Sequence, residues 1–113
     1  MIACDLDPVA LRAAALNAHT NSVALDYLHD FSVLDAAVDV LFAADVLYDR
    51  DNLPLLQRFR ERAATVIVAD SRVQNFAESG FAMVGEMRRA TVPDLGEPDD
   101  VRRVRFYRAC SIC

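Results

Sequence analysis

The feature that most limits what this chain can fold into is a series of short apolar runs, each closing on an aspartate. Ile2–Cys4 stops at Asp5, the run from Ser22 stops at Asp26-Tyr27, Val38–Ala44 stops at Asp45, and Thr65–Ala69 stops at Asp70. Helical patterns lie between them. A helix is expected from Pro8 to about Ala18, with Asp7 as its cap, Pro8 in the first helical position, and Leu11, Ala14, Ala15 and Ala18 along one face. A second is expected over Leu53 to Arg62, started by Asp51 or Asn52, with Leu56 and Phe59 inward and Arg58, Arg60, Glu61 and Arg62 mostly outward. Strands that alternate with helices predict an α/β domain with a mainly parallel sheet. Val38–Ala44 is so nearly continuous in apolar residues that it reads as a central strand buried on both faces.

Beyond Asp70 the signals weaken. A helix over Val73 to Ala82, interrupted or ended by Gly80, is followed by a strand near Glu86 to Val92 and a turn from Pro93 to Asp100. Val101 to Ala109 then alternates well enough to close the sheet as an antiparallel, half-exposed strand. At 113 residues the chain is sized for one domain.

Charge removes several function classes. All 12 basic residues are Arg, so a phosphate-binding P-loop lysine, a Schiff-base lysine and a lysine general base are excluded. A formal net charge of −5 argues against broad electrostatic capture of nucleic acid, which needs clustered positive charge to displace phosphate counterions. The one basic concentration is Arg102, Arg103, Arg105 and Arg108, which reads as a solubilising strand face or as a surface for an acidic partner. No apolar stretch reaches the roughly 18 to 20 residues of a membrane helix, and no basic-then-apolar leader opens the sequence, so a cytoplasmic protein without a membrane partner is expected. Cys4, Cys110 and Cys113 fit reduced thiols there. The Cys110/Cys113 C-x-x-C spacing has no second pair, His19 and His29 have no partner at ligand spacing, and no metal is expected.

In open α/β sheets ligands bind beyond the carboxyl ends of the strands, and here those ends are acidic. A carboxylate in that place can accept two hydrogen bonds from a ribose diol, or simply cap the next turn. For Asp7, Asp51 and Asp70 capping is the preferred reading; for Asp5 and Asp45 it is a role toward a ligand.

The segment Ile2-Ala3-Cys4-Asp5-Leu6-Asp7-Pro8, followed by Ala10, Asn17-Ala18 and Asn21, resembles the second-strand segment of class I, seven-β-strand, S-adenosylmethionine-dependent methyltransferases. Leu25-Asp26-Tyr27 and Val38 to Asp49, with Asp45-Val46-Leu47-Tyr48 at a strand end, are similar to a narrower branch. That branch contains Asp-x-x-Tyr protein-lysine methyltransferases and bacterial relatives described as nicotinamide N-methyltransferase-like or electron-transfer-flavoprotein lysine methyltransferase-like. Arg102 to Arg108 resembles the closing antiparallel strand of those relatives. The resemblance implies a Rossmann-like methyltransferase fold with S-adenosyl-L-methionine as cofactor and a protein lysine or small amine as acceptor. It implies Asp5 for the ribose hydroxyls, Asp26 and Tyr27 for the adenine side, and Asp45 and Tyr48 beside the methionine moiety and the acceptor. Asp45 would orient the amine, and the Tyr48 ring would line the slot and face a cation; an ordinary half-buried tyrosine stands beside that reading.

The departure from the family is a glycine-rich loop after a first strand, which this sequence lacks: its glycines are Gly80, Gly85 and Gly96. In the family that first strand lies between the second and the fourth, so its absence is expected to cut the sheet in two. The loss is about 6 to 10 ladder hydrogen bonds at about 1 kcal/mol net each, comparable to the stability of a domain. The chain is therefore expected to be the C-terminal portion of a methyltransferase domain, weak or inactive alone, and rescued either by direct pairing of the second and fourth strands or by a companion chain that supplies the missing strand. The alternative is a non-catalytic remnant acting as a protein-interaction subunit. A nicotinamide dehydrogenase would want the same absent glycines, and a nucleic-acid N-methyltransferase would favour prolines that Asp45-Val46-Leu47-Tyr48 lacks.

Overall fold

The computed structural model describes residues 1–99 and 102–111, so Val101 of the expected closing strand and Cys113 of the C-x-x-C lie outside the described residues. The chain divides into two compact units, Met1–Ala36 and Ala37–Cys113.

The first unit holds β1 (Ile2–Cys4), α1 (Pro8–Thr20), β2 (Asp26–Leu28) and a 3-10 turn over Phe31–Val33. Asp7 caps α1 by accepting the Val9 N–H at 2.8 Å, and Pro8 takes the first turn, where its missing N–H costs nothing. The helix runs to Thr20, and Asn21 closes it with its side-chain amide on the Asn17 carbonyl at 2.7 Å. Ala18 is buried, and Leu11, Ala14 and Ala15 share its side of the helix. β1 and β2 pair in parallel with Ile2 opposite Asp26, Ala3 opposite Tyr27 and Cys4 opposite Leu28. The second strand thus begins where the sequence pattern expects it to end. The Val23 N–H bends back to the Ala18 carbonyl at 2.9 Å, and pairing starts only when the Asp26 N–H reaches the Met1 carbonyl at 3.0 Å.

The second unit holds β3 (Val38–Ala44), α2 (Leu53–Arg62), β4 (Ala63–Asp70), β5 (Ala82–Arg88) and β6 (Arg103–Cys110), in the sheet order β3-β4-β6-β5. β3 and β4 are parallel, and β6 is antiparallel to both β4 and β5, so β6 alone runs against the other three. The sheet is therefore mostly parallel with a C-terminal antiparallel strand. Register fixes which residues share a face. Ala43, Val68 and Tyr107 are one cross-strand row, and Leu41, Val66 and Ala109 the next. Val66 and Val68 are fully buried there. α2 contributes buried Leu56 and Phe59, and the Phe76 ring meets Tyr107 edge-on at 4.5 Å between centroids. These contacts are the main core.

The opposite face is bare. Phe42 is 75% exposed and Val40 47%, which corrects the expectation that β3 is buried on both faces. Within this unit no element covers this side, and the edge of β3 away from β4 has no strand partner among the described residues. The β1–β2 pair forms a separate two-stranded sheet.

The segment expected as a helix over Val73 to Ala82 is irregular instead. Its two aromatics, Phe76 and Phe81, meet at 5.8 Å, and Phe76 in turn packs on Tyr107, which half-buries the pair without a helix. Gly80 adopts φ +83°, and a Cβ there would collide with the Arg60 guanidinium, so only glycine fits this bend. Arg60 is turned inward, donating to the carbonyls of Cys110 at 3.2 Å and Ser79 at 3.3 Å. β5 then starts at Ala82, earlier than its composition suggests, because Ala82 pairs with Arg108. No helix among the described residues is long and apolar enough to cross a membrane.

Candidate functional site

Asp45 is the first residue after β3, and its backbone leaves the strand abruptly at φ +49°, in the left-handed region that non-glycine residues enter at a cost of about 1 to 3 kcal/mol. Three hydrogen bonds to the end of β4 hold it there. The Asp45 N–H donates to the Ala69 carbonyl at 2.9 Å, while the Ser71 N–H and hydroxyl each donate to Asp45 Oδ1 at 2.9 Å. One carboxylate oxygen is thereby saturated. The side chain is otherwise exposed at the carboxyl ends of two adjacent parallel strands, where ligands of α/β sheets are bound.

Tyr48 comes three residues later, on a short loop fixed at two points. Buried Leu47 anchors it to the core, and the Asn52 side-chain amide holds the Val46 carbonyl at 2.9 Å. Asp49 accepts the Asp51 N–H at 3.0 Å and starts the 3-10 turn Arg50–Asn52 that leads into α2. Tyr48 is 68% exposed, and its ring faces a cation from its own chain, the Arg72 guanidinium at 5.9 Å from the centroid. Ser71 thus contacts Asp45, and its neighbour Arg72 contacts Tyr48. The sequence pattern does not single them out, because they come after an Asp assigned to capping. Asp70 does cap, its Oδ2 accepting the N–H groups of Arg72 at 3.1 Å and Val73 at 2.6 Å. It does so from full burial, and its Oδ1 has no partner among the described residues.

The residues assigned to the cofactor lie in the first unit. Asp5 is the residue after β1, its N–H donating to the Leu28 carbonyl at 3.1 Å and its Oδ1 accepting the Asp7 N–H at 2.8 Å. Its second oxygen makes no hydrogen bond among the described residues, which leaves one acceptor open. Asp26 and Tyr27 stand at the start and middle of β2, opposite Ile2 and Ala3, with Tyr27 44% exposed. The residues just past the carboxyl end of β2 are His29 and Asp30. Asp30 caps the 3-10 turn through Ser32 N–H at 2.8 Å. Burial, helped by the Asp30 and Asp5 carboxylates, pushes the Cys4 thiol up from its ordinary range. The sequence pattern missed Asp30 because the second strand is shifted toward the C-terminus. Among the described residues no group of three or more His, Cys, Asp or Glu side chains is disposed to hold a metal ion.

The bare face of the four-stranded sheet ends beside Asp45. Phe42, Ala44, Ile67, Ala69, Val84 and Phe106 line an open apolar depression of ≈ 450 Å³ on it. Contiguous apolar surface of this kind marks a place that another segment or molecule covers.

No family model matches the chain, and no curated protein matches it. A solved structure does: that of a protein from Pyrococcus horikoshii described as a candidate RNA methyltransferase, with a TM-score of 0.61 over 98% of this chain at 15% sequence identity. The match covers 63% of that protein, so this chain spans less than two thirds of its length. At that identity the likeness is one of fold, and the fold of this chain is methyltransferase-like.

Proposed function

We propose that this chain is the C-terminal portion of an S-adenosylmethionine-dependent N-methyltransferase, acting on a protein lysine or a small amine in the cytoplasm. The observation that carries the reading is the Asp45 turn: a strained aspartate pinned between the ends of two parallel strands, one carboxylate oxygen satisfied and the other open, with Tyr48 on the adjoining loop. Strain of that kind is kept where the surrounding structure over-determines it, and it concentrates at functional sites. The methyltransferase-like fold supports the same reading.

In this reading Asp5 holds a ribose hydroxyl, and Asp26 and Tyr27 belong to the adenine side. The acceptor's neutral amine donates a hydrogen bond to Asp45, which aligns its lone pair. S-adenosylmethionine, held by Asp5, Asp26 and Tyr27, would supply an activated methyl group on its sulfonium, toward which Asp45 would aim the amine lone pair. A displacement there needs alignment and exclusion of water more than acid–base power. The open edge of β3 is where a strand from a companion chain would pair, and the chain is weak or inactive without it.

Calorimetric titration of S-adenosylhomocysteine into the 113-residue chain tests this. Saturable binding that Asp5→Ala abolishes is the expected result, and no heat from a folded chain would remove the catalytic reading. A second reading, a non-catalytic subunit that binds a protein, is favoured by the bare apolar face around Phe42.

A further inference from the structure

We infer that Ser71 is a positioning residue that holds Asp45 Oδ1 through both its N–H and its hydroxyl, so that Oδ2 alone is presented to an acceptor. The use of that oxygen rests on the methyl-transfer reading; the orientation of the carboxylate does not. An exposed aspartate ordinarily turns among rotamers, and its terminal torsion is broad and two-fold, so either oxygen can point outward. Asp45 is exposed, yet two donors 26 residues away in sequence close on the same oxygen at 2.9 Å. The main chain makes the arrangement specific. Its left-handed φ of +49° and the Asp45 N–H bond to the Ala69 carbonyl direct the side chain toward the end of β4 instead of along the alternation of β3. Among the described residues nothing donates to Oδ2. A hydrogen bond to a charged oxygen is strong enough, when well made, to select one rotamer at room temperature.

The Ser71 hydroxyl is the part of this device that substitution can remove, since the N–H stays with the backbone. Its purpose lies in the geometry of displacement: an amine held by one fixed oxygen approaches along one line, whereas a rotating carboxylate offers two or more. Arg72, next in sequence and over the Tyr48 ring, keeps the loop bearing Tyr48 beside the same turn.

The test measures three-bond couplings across the Asp45 Cα–Cβ bond by NMR in the full chain. One rotamer is expected in the wild type, averaged couplings in Ser71→Ala, and recovery of the single rotamer in Ser71→Thr, which restores the hydroxyl. Circular dichroism confirms that all three are folded. A single rotamer that persists in Ser71→Ala, or averaging already in the wild type, overturns the proposal. With a lysine-bearing peptide as acceptor and the companion strand present, Ser71→Ala is expected to lower kcat about tenfold while leaving affinity for S-adenosylhomocysteine within about twofold. A wild-type chain that binds no S-adenosylhomocysteine sinks the methyl-transfer reading instead, and the couplings still decide the role of Ser71.

Discussion

The two parallel strand pairs of this chain end in aspartates of very different rigidity. β1 and β2 share three residue pairs, and among the described residues their unit contains a single buried apolar residue, Ala18. β3 and β4 share six, and β4 is lined by Ala63, Val66 and Val68, with Asp70 fully buried at its end. Asp5 accordingly sits in a local turn made by its own neighbours, while Asp45 is tied across 26 residues to Ser71. A strand end becomes a fixed platform when the strand behind it is buried. The Asp5 main chain is tied to the Leu28 carbonyl, but its carboxylate has only the local turn to hold it, and a strand paired along β1's second edge would stiffen it.

That contrast can be broken most severely from inside the second unit. Phe59→Ala, which empties a site only 6% exposed, is expected to cost about 3 to 5 kcal/mol and to release the Asp45 turn along with β4. Denaturant unfolding with hydrogen exchange on the β4 amides would read it. If exchange at the Asp45 N–H stayed protected, the turn would not depend on the core. Gly80→Ala is expected to cost about 1 to 3 kcal/mol, because alanine must hold φ +83° and push the Arg60 guanidinium off the Ser79 and Cys110 carbonyls. Thermal melts measure the loss, and a change under a few tenths of a kcal/mol would show that the bend relaxes.

In the first unit the effects should be smaller. Asp7→Ala removes the α1 cap at about 1 kcal/mol and should fray the start of α1, leaving β4 exchange untouched. Equal loss of protection in both units would mean that they unfold together. The smallest expected effect concerns Cys4. Because its thiol is pushed up by burial and by Asp30 and Asp5, its protonated form is favoured in the fold; that preference makes stability fall as pH rises past the thiol's ordinary value. Asp30→Asn should speed alkylation of Cys4 at pH 8 by about two- to threefold, and an unchanged rate would mean that Asp30 does not act on the thiol. Tyr107 shows the same direction in the second unit, raised by burial first, with Arg105 opposing and Asp70 and Glu86 adding.

Much of this architecture was legible because it is local. The Asp7-Pro8 start of α1 depends on a cap, and the inward Leu56 and Phe59 of α2 on a 3.6-residue period, both decided by neighbours in sequence, although neither Asp51 nor Asn52 caps α2 with its side chain. The errors fell where distant partners decide. Nothing in Val73 to Ala82 announces that Phe76 will meet Tyr107, or that Phe81 will follow it onto Phe76. Of the candidate site, Asp45 and Tyr48 were visible as a spaced pair, but Ser71 and Arg72 were not, because a hydrogen bond and a ring contact across 24 to 26 residues leave no periodic trace.

By itself, then, the sequence determined which segments are strands and helices and that their ends are acidic, wherever burial pattern and capping chemistry are written within a few residues of each other. Only the tertiary structure decided that β3 has one bare face and one open edge, and that the Asp45 carboxylate is held from a distant strand end while the Asp5 carboxylate is left to its local turn. Those outcomes depend on which strands find partners, and pairing is a property of the assembled sheet, which no single strand carries.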